Sequence, residues 1–481
     1  MNNNSRFFFV LLSAGAAIGL GNIWLFPYFS YRFSGLFFIP YIIALFLLGV
    51  PLLMLEFSIG QHFNKNVVDL FASVRKWLSS IGWLMVFNAF IVMSYYAVIF
   101  SWHIIYFFVS FGLQWKKDAK LYFFNNVIQA SSGFSGFAQF SLPVFIALIL
   151  AWAVVFSYIK KGFESMKKGF LVAVPIFVIL MLLFLVYSLS LDNALNGVHS
   201  FLKPRFMNLF HFDVWVASFS LALVSLGLSF GIMHSLGRKS GKGFIVGNAF
   251  AVAIFKIMSS LIIGFIMFSI LGFLSIKQGI GIDKLAFSDF GSSLIVLPQA
   301  LPFFYKPTLI SLIFFLFLAL FFVFGTASLA YSITHVLVHK FKTRHVNAAI
   351  IVSGIGFLFG LLFIIKPGIY IMDIASHFVY YNILIALLLE VLAAGWFFDS
   401  EKLSDFINQY STLKIGKMWR FFIRCIVPLI LLILLFIQLK SDFLTGYKNY
   451  PWWAVLIFGI GIVIVPLIFA FLMPQKILDR K

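Results

Sequence analysis

The sequence predicts an all-α integral membrane protein of twelve transmembrane helices, arranged as two five-helix inverted repeats with breaks in helices 1 and 6, followed by two further helices. Three observations carry this reading. The 481 residues are 62% hydrophobic, 20% aromatic and only 10% charged, which leaves too little polar side chain to cover a soluble globule. Apolar stretches long enough to cross roughly 30 Å of hydrocarbon recur along the whole chain. Two of them, five apart in order, are interrupted by glycines.

The twelve stretches fall near residues 7–29, 36–60, 80–113, 139–159, 169–190, 213–236, 244–273, 307–338, 346–365, 369–398, 418–438 and 451–473. The third, seventh, eighth and tenth are long enough to tilt or protrude. The first occupies the place of a signal peptide, but it ends in WLFP rather than in a small-residue cleavage site, so it is expected to stay in the mature fold. The longer connections are 114–138, 191–212 and 274–306. The last carries Pro298, Pro302 and short amphipathic pieces, which reads as a structured lid. No Ser- or Pro-rich linker divides the chain. Residues 1–481 are therefore read as one transmembrane domain, with the repeat core over about 7–398 and helices 11 and 12 over about 418–473.

A net charge of +20 raises a nucleic-acid reading, and the positions of the 35 basic residues answer it. Once twelve spans are drawn, most of them lie on the N-terminal side: Lys160 and Lys161, Lys167 and Lys168, and the runs at 237–243 and 340–344. This positive-inside pattern predicts a multi-pass cell-membrane protein with both termini cytoplasmic, and the lipid bilayer, not nucleic acid, as its large partner. Cys425 is the only cysteine, which excludes an intrachain disulfide and a cysteine metal cluster. The sequence shows no nucleophile–base pair, phosphate loop or His/Glu metal motif, so an enzyme reading is poor. It shows no continuous polar path for a channel.

The two interruptions are GLGN at 19–22 and SLGLSFG at 225–231. Glycine-broken spans at corresponding places in two halves mark a transporter's binding site, and a repeat of five spans must be inverted across the membrane. A break exposes backbone carbonyls that can coordinate a cation and a half-helix N-terminus that attracts a carboxylate. Glycine lowers the cost of the break and keeps side chains out of the ligand's space. The structural alternative is that these glycines only let neighbouring helices approach.

AGAAIGLGNIWLFPY at the first span and IPYIIALFLLGVPLLMLEFSIGQ at 39–61 closely resemble the first two helices of the neurotransmitter:sodium symporter family. Weaker likenesses follow in order: SYYAVIFSW at 94–102, KKGFESMKK at 160–168, SLGLSFG, FGTASLA at 324–330, and KLSDFINQ with KMWRFFIRCIVP. The resemblance implies a leucine-transporter-like fold, alternating access, and uptake of an amino acid or similar small zwitterion driven by sodium, with no cofactor beyond that coupling ion. It places Gly15 and Ile18 among the ligands of a second sodium site, with Val323 and Thr326. Ala17, Asn22 and Ser225 fall on the first sodium site. Ala16, Ala17, Leu20, Gly21, Val92, Tyr96, Val224, Ser225, Gly227, Phe230 and Tyr331 line the substrate pocket, Tyr96 holding a carboxylate. Asp373 matches the acidic member of an outer gate.

Departures from the family pattern carry information of their own. Leu25 stands where the gate usually has an arginine, and Arg32 is the nearest candidate substitute. Leu221 and Val224 replace a glutamine and an aromatic lid. Thr326 is followed by Ala327 where a second hydroxyl is usual, and Ser328 points about 100° further round the helix. The asparagine that completes the first sodium site has no counterpart; Phe255 or Lys256 stands there. A lysine near the middle of a span costs about 2.5–3.5 kcal/mol on insertion scales. Two readings of Lys256 follow. Its ammonium takes the role of the first sodium, facing Asn22 and Ser225, or it pairs structurally with Glu56. The first leaves room for proton coupling, with Glu390, His103, His234 and His335 as further titratable groups within spans. A homologue that binds substrate without transporting it is the remaining alternative.

Overall fold

The structure, a computed structural model, describes residues 3–17, 21–33, 37–203, 206–239, 243–285, 292–398 and 400–473. Ten helices among them are long and apolar enough to cross a membrane: Phe38–Phe63, Lys76–Val109, Leu142–Ile159, Phe163–Leu189, Ile245–Gln278, Pro307–Lys340, His345–Phe363, Gly368–Phe397, Lys417–Thr445 and Trp452–Leu472. They stand in the places of the second to fifth and seventh to twelfth expected spans. The first is a pair, Arg6–Ala17 and Gly21–Phe33, bent by 62°. The sixth is two short helices, Phe212–Ser225 and Ile232–Lys239. The protein is thus an all-α, multi-span membrane protein whose first and sixth spans are both divided.

Burial locates the core. The third span is 89% buried over its most apolar window, whereas the eleventh and twelfth are 28% and 17% buried. A helix apolar on every side is either interior or lipid-facing, and these values separate the two cases. The first, sixth and third spans form the centre, while the last two lie on the rim.

The break in the sixth span has a local cause. Gly227 and Gly231 both take φ +68°, with Ser229 between them at +67°. Two glycines bear the left-handed backbone without a Cβ penalty, and the serine costs roughly 1–2 kcal/mol. Its backbone N–H is recovered by Glu56 Oε1 at 2.9 Å. The Phe230 carbonyl accepts from Ser332 Oγ at 2.7 Å. The exposed peptide groups of the break are therefore partly held by the second and eighth spans.

The connection at 274–306 carries the apolar helical piece Ser293–Phe303. Trp24 Nε1 donates to Ser293 Oγ at 2.6 Å, Tyr106 to the Leu294 carbonyl at 2.9 Å and Trp115 to the Pro298 carbonyl at 2.9 Å. This helical piece is bonded to the first span, the third span and the loop beyond it.

Candidate functional site

The two breaks meet at the centre of the molecule. A Cβ on Gly21 would lie 2.9 Å from Ser225 Cβ, and one on Gly227 would lie 3.5 Å from the Ala16 carbonyl oxygen. Gly21 is needed for this approach. The structure thus brings Ala16, Ala17, Gly21 and Asn22 of the first span against Ser225 and Gly227 of the sixth. Ile18 and Leu20 lie outside the described residues.

Beneath this junction lies a polar cluster contributed by the seventh span. Lys256 is 1% exposed, and its Nζ donates to the Ala17 carbonyl at 3.2 Å. Asn22 Nδ2 donates to Ser259 Oγ at 2.9 Å, and Ser259 donates to the Lys256 carbonyl at 3.0 Å. Asn22 Oδ1 is buried with no hydrogen-bond partner among the described residues. The Tyr41 hydroxyl lies 3.4 Å from both Ser225 Oγ and Ser260 Oγ. Glu56 does not pair with Lys256; its carboxylate reaches His234 and the Ser229 N–H instead. An ammonium with three donors and one described acceptor, beside an orphaned amide oxygen, makes a site suited to an ion or an ionised ligand group.

The residues expected at a second sodium site have fewer polar side chains. Thr326 Oγ1 donates to the Phe322 carbonyl at 2.8 Å, which leaves its lone pairs for another partner. Val323 is buried, as is Gly15, whose Cβ would meet Val174 Cγ2 at 3.0 Å. Ser328 Oγ is buried with no described partner.

A cavity of about 530 Å³ lies beside the two divided spans, lined by Trp24 and Leu25 of the first and Leu221 and Val224 of the sixth. Tyr96 lines it as well, with Arg32 and Asp373 further along. Val92 and Phe230 are buried and are not among its lining residues. Tyr331 lies elsewhere: its ring stacks with His335 at 5.8 Å and meets Phe163 at 6.3 Å.

The cation facing Asp373 comes from a place the sequence reading passes over. Lys448, in the connection between the eleventh and twelfth spans, puts Nζ 3.0 Å from both Asp373 oxygens. Tyr447 donates to Oδ1 at 3.1 Å and Tyr450 to Oδ2 at 2.8 Å. Arg32 instead lies over the Phe33 ring at 5.1 Å. His103 stacks on Phe322 at 4.6 Å, with Nδ1 2.8 Å from the Ile99 carbonyl.

A His/Glu cluster is also present, assembled from three spans rather than from one motif. Glu56, His234 and Glu390 are all fully buried, with potential ligand atoms within 4.8 Å of one another. No linear spacing could have signalled it.

Two divided spans meeting beside a cavity in a helical membrane protein are the arrangement expected of a transporter's binding site. The chain belongs to the sodium:neurotransmitter symporter family, whose model matches residues 2–122 and 114–478. It is 31% identical to an uncharacterized sodium-dependent transporter of Methanocaldococcus jannaschii over 97% of this chain and 95% of that protein. It is 26% identical to the sodium- and chloride-dependent GABA transporter 2 of Rattus norvegicus, over 92% of this chain and 81% of the relative. A sodium- and chloride-dependent taurine transporter of the same organism is 26% identical over 98% and 84%. The protein is accordingly a symporter of a small molecule, not an enzyme.

Proposed function

We propose that this chain carries an amino acid or similar small zwitterion across the cell membrane, coupled to sodium, by alternating access with both termini cytoplasmic. The observation that supports the reading is the approach of Gly21 to Ser225 and of Ala16 to Gly227, two helix breaks whose chain neighbours Trp24, Leu25, Leu221 and Val224 line a cavity together with Tyr96. Half-helix ends and a tyrosine hydroxyl suit a carboxylate. Leu221 and Val224, in place of bulkier groups, leave space for an apolar side chain. Relatives named for GABA and taurine fit the same chemistry, since each is a small molecule bearing an amine and an acid.

Sodium enters as cargo. Gly15, Ile18, Val323 and Thr326 form its binding site in this reading. The Lys256 ammonium takes the place of the first sodium, bonded to the Ala17 carbonyl near Asn22 and pairing with the substrate carboxylate. A thermal-shift screen of amino acids with and without sodium tests the proposal, since a ligand that binds the folded state raises its stability. Stabilisation by at least one amino acid, enhanced by sodium, is the expected result. Stabilisation by none, or by amino acids without regard to sodium, would contradict it.

A further inference from the structure

The buried cluster of Glu56, His234 and Glu390 has no part in that scheme. His234 Nδ1 lies 3.2 Å from Glu56 Oε2, and His234 Nε2 lies 2.9 Å from Glu390 Oε1. An imidazole has two ring nitrogens, and only the imidazolium donates from both. The Nε2–Glu390 contact is a hydrogen bond, whereas Nδ1 and Glu56 Oε2 lie at ion-pair distance without one; with an imidazolium between two carboxylates the cluster carries one net negative charge.

A buried net charge is costly unless it is compensated. Among the described residues, no lysine or arginine bonds to either carboxylate. Charged and titratable groups on the surrounding elements are engaged elsewhere. Arg238 bonds to Asn64, His335 and His339, and Lys340 to Asp69. Arg424 bonds to the Gly395 carbonyl and Ser400, and Lys239 lies over the Phe163 ring. Phe71 covers the imidazole, its centroid 6.0 Å away. Glu390 Oε2, Glu56 Oε2 and His234 Nδ1 are all buried with no hydrogen-bond partner among the described residues, and a further proton on Glu390 would neutralise the cluster.

The cluster also bridges three spans, two of which are packed backbone to backbone. A Cβ on Gly60 would lie 2.3 Å from the His234 carbonyl oxygen, and one on Gly237 would lie 2.8 Å from that of Phe57. The second span and the inner half of the sixth are thus locked backbone to backbone. Glu390 belongs to the tenth span, so its contact with His234 is the one that can open. Glu56 reaches the break itself through the Ser229 N–H.

We propose that Glu56, His234 and Glu390 form a proton-binding site whose occupancy sets how the inner half of the sixth span is held against the tenth, making substrate binding and transport depend on pH in addition to sodium. A proton arriving on Glu390 converts its carboxylate to a carboxylic acid and weakens the charged clamp to His234. The two ring nitrogens face different carboxylates, an arrangement suited to sharing protons rather than to placing three ligands around one metal ion.

Purified protein in proteoliposomes tests this with uptake at a fixed sodium gradient over a range of pH, alongside infrared difference spectra on acidification. One linked proton changes apparent substrate affinity by up to about tenfold per pH unit in the titrating range. Glu390→Gln, fixed in the neutral form, is expected to behave at neutral pH as the wild type does at acid pH, with a flat profile and without the titrating carboxylic-acid band. If Glu390→Gln does not fold, Glu390→Asp keeps the carboxyl and is expected to displace the titration midpoint. A pH profile unchanged in the folded variant, or no titrating carboxyl band in the wild type, would overturn the proposal. So would zinc stabilisation of the wild type that is lost in His234→Asn, which would identify a metal site instead.

Discussion

Asp373 of the tenth span and Lys448 of the last interhelical connection form an ion pair at 3.0 Å beside the cavity that Asp373 lines. Leu25 lines the same cavity and carries no charge to face Asp373, and the cation that bonds Asp373 comes from the loop. Lys448 is 48% exposed and Asp373 9%, so the two members are not equivalent.

Lys448→Gln removes a half-exposed charge, and Tyr447 and Tyr450 still hold the carboxylate. Exposed pairs contribute at most about 1 kcal/mol, so apparent substrate affinity should stay within roughly fivefold of wild type. Asp373→Asn weakens every bond that converges on the carboxylate and should cost about tenfold or more. Uptake kinetics of the two variants check this order, and the reverse order would count against a gate centred on Asp373.

Lys256→Gln keeps a polar side chain but removes the ammonium bonded to the Ala17 carbonyl. It is predicted to abolish substrate binding while folded protein remains in the membrane. Lys256→Asn restores the amide usual in the family and is predicted to steepen the sodium dependence of whatever binding survives. Equilibrium binding at several sodium concentrations measures both, and wild-type affinity in Lys256→Gln would remove Lys256 from the substrate site.

Gly21→Ala would place a methyl group 2.9 Å from Ser225 Cβ and 3.1 Å from Leu221 Cδ1. Overpacking of this kind costs about 1–3 kcal/mol, and here it would push the two breaks apart. Substrate binding should fall at unchanged membrane yield, with a lower melting temperature. Gly354→Ala, whose Cβ meets nothing within 4 Å, is the control and should be neutral or slightly stabilising.

Much of this arrangement can be read from residue order, because span length and glycine breaks are local signals. The third span, expected at 80–113, runs over Lys76–Val109; its ends differ because loop residues add turns or drop out without changing the apolar core. GLGN and SLGLSFG marked both breaks. Lys256 stood out because a lysine within an apolar span is costly wherever it points. Other features depend on residues far apart in the chain. A lone histidine at 234 gives no hint that it sits between residues 56 and 390. Lys448 reads as an ordinary solvated loop lysine until the fold carries it to Asp373. Tyr331 illustrates the converse, since matching a family position did not bring its ring into the cavity that Tyr96 lines.

Uptake of an amino acid identified by the thermal-shift screen, measured in proteoliposomes under an imposed inward sodium gradient, is the most direct test of sodium-coupled symport. The predicted result is transient accumulation above the external concentration, abolished when potassium replaces sodium and when Thr326 and Val323 are disrupted together. Equilibration without accumulation, or accumulation indifferent to sodium, would contradict it.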